Sequence, residues 1–253
     1  MSGVTSRAHD QEVMQLEKSL SKHNGSDVDG LGRSGGDSPE EGAPRAERRH
    51  RRRMTREELA PEAREMIFRA AMLVIGQHGY AGATIERVTK AAGIAQGTFY
   101  LYFESRQALF DEILPYFGAQ MLDFIRQRVR RSRDILDKEE RGFRAFIDYM
   151  RSNPGFFRLL TEAKGAAPEA HSKHFEQITK PYVGALRRGL NSANIRHFGD
   201  GELEVVAYML MAAREYLYLR YFERDTNDTG SLDTVVRTYM GFVRKGFGLN
   251  GSQ

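Results

Sequence analysis

The stretch GYAGATIERVTKAAGIAQGTFYLYFESRQALFDEIL, residues 79–114, decides the fold of this chain. Thr84 precedes the segment IERVTKAA, in which Ile85 and Val88 face the same way on a helix, and threonine is a common N-cap residue. Gly93 ends this helix, and another runs through QGTFYLYF. Two short helices joined by a glycine turn predict a helix-turn-helix, whose second helix is free to enter a DNA major groove.

The aromatic run in the second helix divides between two faces. Phe99 and Phe103 are four residues apart, so both point into the small core. Tyr100 lies on another face, where its hydroxyl can donate a hydrogen bond to a DNA phosphate. At Gly97 the missing side chain lets the backbone approach the duplex. The run therefore predicts half core and half exposed surface.

Helical patterns continue on both sides of this stretch. PEAREMIFRAAMLVIGQHGY carries one apolar stripe, with Pro61 suited to the first turn and Gly79 to the C-terminal cap. Ser105 caps a fourth helix, RQALFDEILPYFGAQMLDFIRQRVRR, in which Pro115 predicts a kink. The absence of a period-2 strand pattern makes the predicted fold class all-α. Further helices are predicted at about 137–151, 154–163, 168–193, 201–224 and 231–247.

Composition excludes several classes of protein. The 253 residues are 40% apolar and 28% charged, which is typical of a soluble globular protein. There is no cysteine, so the chain holds neither a disulfide framework nor a thiolate metal site. The longest apolar run, VVAYMLMAA at 205–213, is too short to cross a bilayer, and no secretory signal precedes it. We expect a cytoplasmic protein.

Residues 1–58 differ from the rest of the chain. They are rich in Ser, Gly, Asp and Arg and have few aliphatic side chains, so we expect a disordered tail. Within APRAERRHRRRMTRE, residues 43–57, seven arginines face two glutamates. This segment is either a solvated tail or an extra DNA arm that follows the backbone or enters the minor groove. The arginines of the possible arm are Arg48, Arg49, Arg51, Arg52 and Arg53.

Residues 62–114 resemble the DNA-binding domain of the tetracycline-repressor (TetR) family. The resemblance rests on the order GY, Thr84, AAGI, GTFY, YF and S-x-x-A-L-F. It implies that Gln96 reads a base, since an amide pairs with adenine, and that Arg106 binds phosphate in place of a more usual lysine. Ala95 departs from the common Ser or Thr and lacks the hydroxyl cap. The expected DNA contacts are Thr84, Gln96, Gly97, Thr98, Tyr100, Tyr102 and Arg106.

The last two predicted helices carry more apolar surface than one subunit needs. ELEVVAYMLMAAREYLYLRYFERD is apolar around nearly its whole circumference, and the helix at 231–247 has a broad apolar stripe. The resemblance implies that the helices at about 201–224 and 231–247 pair with those of a second subunit. We therefore expect a homodimer.

The same resemblance implies an effector cavity between the other C-terminal helices. Aromatic and methionine side chains suit a roomy apolar cavity, although core packing alone also explains each of them. Arg214 and Glu215 interrupt an apolar helix. They either contact the polar end of a ligand or form a salt bridge or a dimer contact. The candidate pocket residues are Phe117, Met121, Phe124, Phe146, Met150, Phe157, Phe175, Tyr182, Tyr208, Met211 and Arg214.

These features predict a ligand-responsive transcriptional regulator, a repressor that binds a palindromic operator as a dimer and is released by a largely apolar small molecule. The predicted domains are the tail at 1–58, the helix-turn-helix domain at 59–105 and the ligand-binding and dimerisation domain at 106–249. We expect no cofactor and no enzyme activity, since the sequence has no P-loop and no G-x-G-x-x-G that opens a helix.

Two alternatives remain open. His171 and His174, three residues apart on a polar helix, can bind a metal with Glu169 or Glu176 in an enzyme, although solvated histidines are the commoner outcome. A regulator that activates transcription without small-molecule control is the other alternative.

Overall fold

The computed structural model describes residues 56–195, 198–223 and 229–249, and every regular element in these ranges is a helix, which confirms the all-α fold class. The arginine arm and the rest of the tail at 1–55 lie outside the described residues. Within the described ranges no helix is long and apolar enough to cross a membrane. The helices there are α1 (Arg56–Gly82), α2 (Ile85–Ala92), α3 (Gln96–Phe99), α4 (Arg106–Val129), α5 (Ile135–Ser152), α6 (Phe156–Ala166), α7 (Pro168–Ser192), α8 (Asp200–Tyr221) and α9 (Thr229–Gly246).

The caps of the first helices follow from local sequence. α1 begins before Pro61, so the prediction that Pro61 lies in its first turn is wrong, and the helical geometry breaks at Gly79, where φ is 70°. The Thr84 side chain accepts a hydrogen bond from the Arg87 amide at 3.2 Å and caps α2. Gly93, with φ of 66°, ends α2 in the left-handed region that favours glycine.

The helix expected through QGTFYLYF is shorter than predicted. α3 spans only Gln96–Phe99, and the chain continues through a turn in which the Leu101 and Tyr102 amides donate to the carbonyls three residues earlier. Ala95 provides no side-chain cap, and Gly97 lies within the single turn of helix. Phe99 is nevertheless fully buried, as the spacing predicted.

One hydrophobic core runs from α1 to α9. α4 continues through the buried Pro115 and packs against α5, α6 and α7. α7 also packs against α8, and α5 against α9. This arrangement places α4 between the helix-turn-helix and the C-terminal helices. The boundary predicted at residue 105 stays a prediction.

Candidate functional site

The surface formed by α3 and the turn after it presents mainly uncharged side chains. Gln96 and Gly97 are exposed, and Tyr100 is 51% exposed. Thr98 and Tyr102 are partly buried but reach the surface. Because Phe99 and Phe103 lie in the core below, they anchor α3 and the turn after it to the domain while the outer face stays open. The fold therefore brings these five predicted DNA contacts to one small surface segment.

The remaining predicted contacts flank this segment. Thr84 is exposed at the start of α2, where its side chain also serves as the N-cap. Arg106 is exposed at the start of α4, with its guanidinium carbon 5.4 Å from the centre of the Phe110 ring. Lys90, a basic residue three positions before the turn glycine, is also exposed, in the last turn of α2.

A cavity of about 310 Å³ lies between α4, α5, α7 and α8, with Leu160 of α6 in its wall. Its lining is dominated by aliphatic, aromatic and methionine side chains, which suits an apolar ligand. Residues of four helices that are distant in sequence meet here. Six of the eleven candidate pocket residues line it: Met121, Phe146, Phe175, Tyr182, Met211 and Arg214.

The other five candidates lie elsewhere. Phe117 is buried one turn before Met121, and Met150 is buried one turn after Phe146, but neither lines the cavity. Apolar spacing identifies the buried face of a helix, but it does not distinguish core from cavity wall. Two of the remaining three pack on aromatic rings, Phe124 on Tyr149 and Phe157 on Tyr218. The third, Tyr208, is exposed and stacks on Phe175.

A buried polar cluster forms part of the cavity wall. Glu139 is 2% exposed and pairs with Arg214, which is 9% exposed, so Arg214 makes the salt bridge that the sequence left open. The Tyr182 and Tyr239 hydroxyls donate to the Glu139 carboxylate at 2.8 and 2.6 Å. Burial alone would lower the pKa of Arg214, but the Glu139 carboxylate raises it well above the ordinary value. Arg214 is therefore charged, and both members of the buried pair have their partners within the protein.

His174 lies at the inner end of the same cavity and is 1% exposed. Neither of its ring nitrogens has a hydrogen-bond partner among the described residues. Its neighbours are the Phe156 and Phe175 rings, with centroids 6.4 and 5.7 Å away, and Gly118, where a Cβ atom would overlap Nδ1. Burial, assisted by His171, lowers the pKa of His174 to about 4, so the ring is neutral at pH 7.

The comparison with known proteins agrees with this geometry. Residues 67–113 match a family model described as bacterial regulatory proteins, tetR family. YvdT of Bacillus subtilis, an uncharacterised HTH-type transcriptional regulator, is 32% identical over 142 residues, which are 53% of this chain and 68% of that protein. The chain belongs to the TetR family. It is a transcriptional regulator with a DNA-binding helix-turn-helix.

A further relative of this TetR-family regulator and one solved structure extend the likeness beyond the helix-turn-helix. The HTH-type transcriptional repressor NicS of Pseudomonas putida is 28% identical over 169 residues, covering 64% of this chain and 78% of NicS. The crystal structure of FadR from Bacillus subtilis in complex with stearoyl-CoA aligns with a TM-score of 0.61 and 16% identity, over 70% of this chain and 97% of that one. At that identity the structural likeness shows the fold alone.

The metal site considered for His171 and His174 is not formed. Within the described ranges no three His, Cys, Asp or Glu side chains are arranged to hold a metal ion. The His171 ring packs on Phe175 with centroids 4.6 Å apart, whereas His174 points into the core against Gly118. The expectation that both histidines are solvated is also wrong for His174, because α7 buries that face against α4.

The end of α1 is joined to α6 by close backbone packing and polar contacts. A Cβ atom at Gly76 would lie 2.6 Å from the Gly155 Cα, so the two backbones touch. Glu162 accepts a hydrogen bond from the Tyr80 amide at 2.9 Å and is paired with Arg158 at 2.5 Å. These contacts tie the helix before the helix-turn-helix to the helix that carries Leu160 of the cavity wall.

An apolar stripe on α8 faces away from the core. The exposed members are spaced by four and three residues in turn, so they lie on one side of the helix. Phe242 on α9 is also exposed. Large apolar side chains in a continuous exposed row are typical of an interface. The stripe on α8 consists of Val205, Met209, Ala212, Tyr216 and Leu219.

Proposed function

We propose that this regulator is a homodimeric repressor that binds a palindromic operator and leaves it when a small, largely apolar molecule fills the cavity. The observation that carries the proposal is the apolar cavity of about 310 Å³, with α4 and α6 in its walls. The same two helices adjoin the helix-turn-helix, α4 through Arg106 and α6 through its contacts with α1. NicS, a relative by sequence, is named a repressor, and the FadR structure holds stearoyl-CoA.

The proposed DNA contacts divide between base reading and positioning. Gln96 would pair with adenine through its amide, and Thr98 would touch a base edge or a thymine methyl. Tyr100, Tyr102 and Thr84 would donate hydroxyl hydrogen bonds to phosphates, with Arg106 as a charged phosphate contact. The exposed α3 surface supports this division, and Gly97 adds close approach of the backbone. The arginine arm would strengthen binding without reading sequence.

The proposed dimer interface is the exposed stripe of α8 together with the outer face of α9. Tyr216 is 71% exposed and Phe242 is 67% exposed in a single subunit. Burying side chains of this size against a second copy is favourable by about 1.5–3 kcal/mol each. A two-fold dimer also presents two recognition helices to successive major grooves, about 34 Å apart, which suits a palindromic site.

Effector release would act through α4 and α6. A ligand that enlarges or reshapes the cavity displaces Met121 on α4 or Leu160 on α6. Because packed helices move as rigid elements, such a displacement changes the separation of the two α3 helices in the dimer. The dimer then no longer fits its operator.

A mobility-shift assay on the DNA upstream of the protein's own gene tests the DNA contacts. Gln96→Ala should weaken binding by about 5- to 150-fold, the worth of one bidentate base contact. The matched control is Gln127→Ala. It removes an exposed amide side chain from α4, outside the proposed DNA-binding surface. Equal binding of the wild-type protein to that DNA and to a scrambled sequence would overturn the operator proposal.

Sedimentation equilibrium tests the dimer. Tyr216→Glu places a charge in the middle of the α8 stripe and should convert the dimer to monomers. Gln177→Glu, at an exposed position of α7 outside the stripe, adds the same charge and should leave the mass unchanged. A wild-type protein that sediments as a monomer at micromolar concentration contradicts this part of the proposal.

A further inference from the structure

His174 is a buried hydrogen-bonding side chain with no partner within the described ranges. Buried polar atoms are nearly always satisfied, and leaving one unpaired is costly. The ring is nevertheless part of the lining of a cavity large enough for a small molecule, with both nitrogens covered and Nδ1 facing Gly118. The free hydrogen-bonding capacity of His174 is therefore available to an occupant of the cavity that draws the ring away from Gly118.

The other polar groups of the cavity wall differ from His174. Glu139 and Arg214 satisfy each other deep in the wall. Glu215 and Lys138 are only partly buried, and Arg126 is exposed and paired with Asp123. Arg188 lies fourteen residues further along α7, about 21 Å at 1.5 Å per residue, on an exposed turn. Around His174 the wall is apolar, with Met121, Leu160 and Phe175 among its members.

We propose that His174 recognises the effector by hydrogen-bonding a hydroxyl or carbonyl group at the inner end of an otherwise apolar molecule. This inference rests on the proposed function, because it requires that the cavity hold the effector. It adds the chemical class of the ligand and the residue that selects it.

The neutral state of the ring defines the ligand class. A neutral imidazole offers one N–H donor and one acceptor nitrogen, which match a hydroxyl group in either direction and a carbonyl through the donor. A neutral ring supplies no countercharge to a carboxylate, and burial opposes the charged ring that would. An amphipathic neutral group is thus preferred over an anion at this end of the cavity.

The position of His174 also connects ligand recognition to α4. The ring occupies the space where any residue other than glycine at position 118 would place its Cβ. Gly118 lies twelve residues from Arg106, about 18 Å along α4. A ligand that draws the ring towards the cavity, or pushes it towards α4, therefore acts directly on the helix that begins beside α3.

Isothermal titration with two matched probes tests the proposal. 4-Propylphenol and propylbenzene have the same carbon skeleton and differ by one hydroxyl group. The wild-type protein should bind 4-propylphenol about five- to tenfold more tightly, the net contribution of one hydrogen bond. His174→Phe keeps an aromatic ring and removes both nitrogens, so it should abolish the preference. His174→Gln should restore part of it.

The matched control is His171→Phe, three residues earlier on α7 and outside the cavity lining. It should retain the full preference for the phenol. A measurement on the wild-type protein guards against a variant that fails to fold: the ¹⁵N resonances of the His174 ring should shift with 4-propylphenol and not with propylbenzene.

The outcomes separate this inference from the proposed function. If both probes bind the wild-type protein equally, or if His174→Phe keeps the preference, His174 does not select the ligand, while the cavity remains an effector site. If neither probe binds, the cavity is not a ligand site, and the proposed effector control falls together with the inference.

Discussion

Lowering the pH from 7 to 5 should destabilise the folded protein by about 2 kcal/mol through His174 alone. Burial lowers the pKa of this ring from 6.5 to about 4 in the folded state. The unfolded chain therefore binds the proton first, so the stability that the neutral ring provides is complete above pH 6.5 and is lost as the pH falls towards 4. Each pH unit below 6.5 costs about 1.36 kcal/mol, which gives about 2 kcal/mol at pH 5.

Thermal unfolding at fixed ionic strength measures this effect. For a domain of this size, about 2 kcal/mol corresponds to a decrease in Tm of about 4–8 °C. His174→Phe should show a decrease between pH 7 and 5 that is smaller by this amount, since the phenyl ring does not titrate. The pKa of His171 is lowered by burial and by Lys164, and the charge of His171 in turn lowers the pKa of His174. Because burial is the larger cause at His174, His171→Phe should keep most of the decrease in Tm between pH 7 and 5.

The slopes of Tm against pH for the wild-type protein and His174→Phe isolate the contribution of His174. Other groups titrate over the same range, but they are common to the wild-type protein and His174→Phe. Parallel curves of Tm against pH for these two proteins would refute the reasoning, because a ring that is solvated or paired in the folded state would have a nearly ordinary pKa.

Two further predictions concern packing and the buried ion pair, and urea unfolding measures both. Arg214→Met should lower the free energy of unfolding by about 3–5 kcal/mol, because it leaves the Glu139 carboxylate buried without its countercharge. Adding Glu139→Gln to that variant should recover part of the loss. Independent, additive effects of the two substitutions would contradict the pairing. Gly76→Ala should lower the free energy of unfolding by about 1–3 kcal/mol, because its Cβ meets the backbone at Gly155. The control Gly165→Ala faces open space and should be neutral or stabilising. Equal effects of the two substitutions would contradict the close packing.

Local chemistry explains which elements could be predicted from the sequence. The Thr84 cap and the Gly93 terminus depend on residues within one turn, so the sequence specifies the ends of α2. The length of α3 is different, because its aromatic spacing suits both a helix and a helical turn. Packing of Phe99 and Phe103 in the core is compatible with either, and the backbone adopts the turn after Phe99.

The cavity wall was harder to predict because it depends on how four helices meet. Apolar spacing placed Met121 and Phe146 on buried faces, but the same spacing placed Phe117 and Met150 there. His174 had a usable signal: it lies four residues after the buried Ala170 and four before Ile178, on the inner face of α7. The polar neighbours in HSKH obscured that pattern.

The cavity has two separate physical connections to the helix-turn-helix. On one side, His174 lies against Gly118 of α4, which begins three residues after Phe103. On the other side, Leu160 lies in the cavity wall while Glu162, on the same helix, holds the Tyr80 amide at the end of α1. Since α1 and α4 enclose α3 in sequence, the proposed effector would change the support of the α3 surface by moving either wall. A ligand that hydrogen-bonds His174 would act first on α4, whereas a bulky apolar ligand would act on α6 without needing that bond.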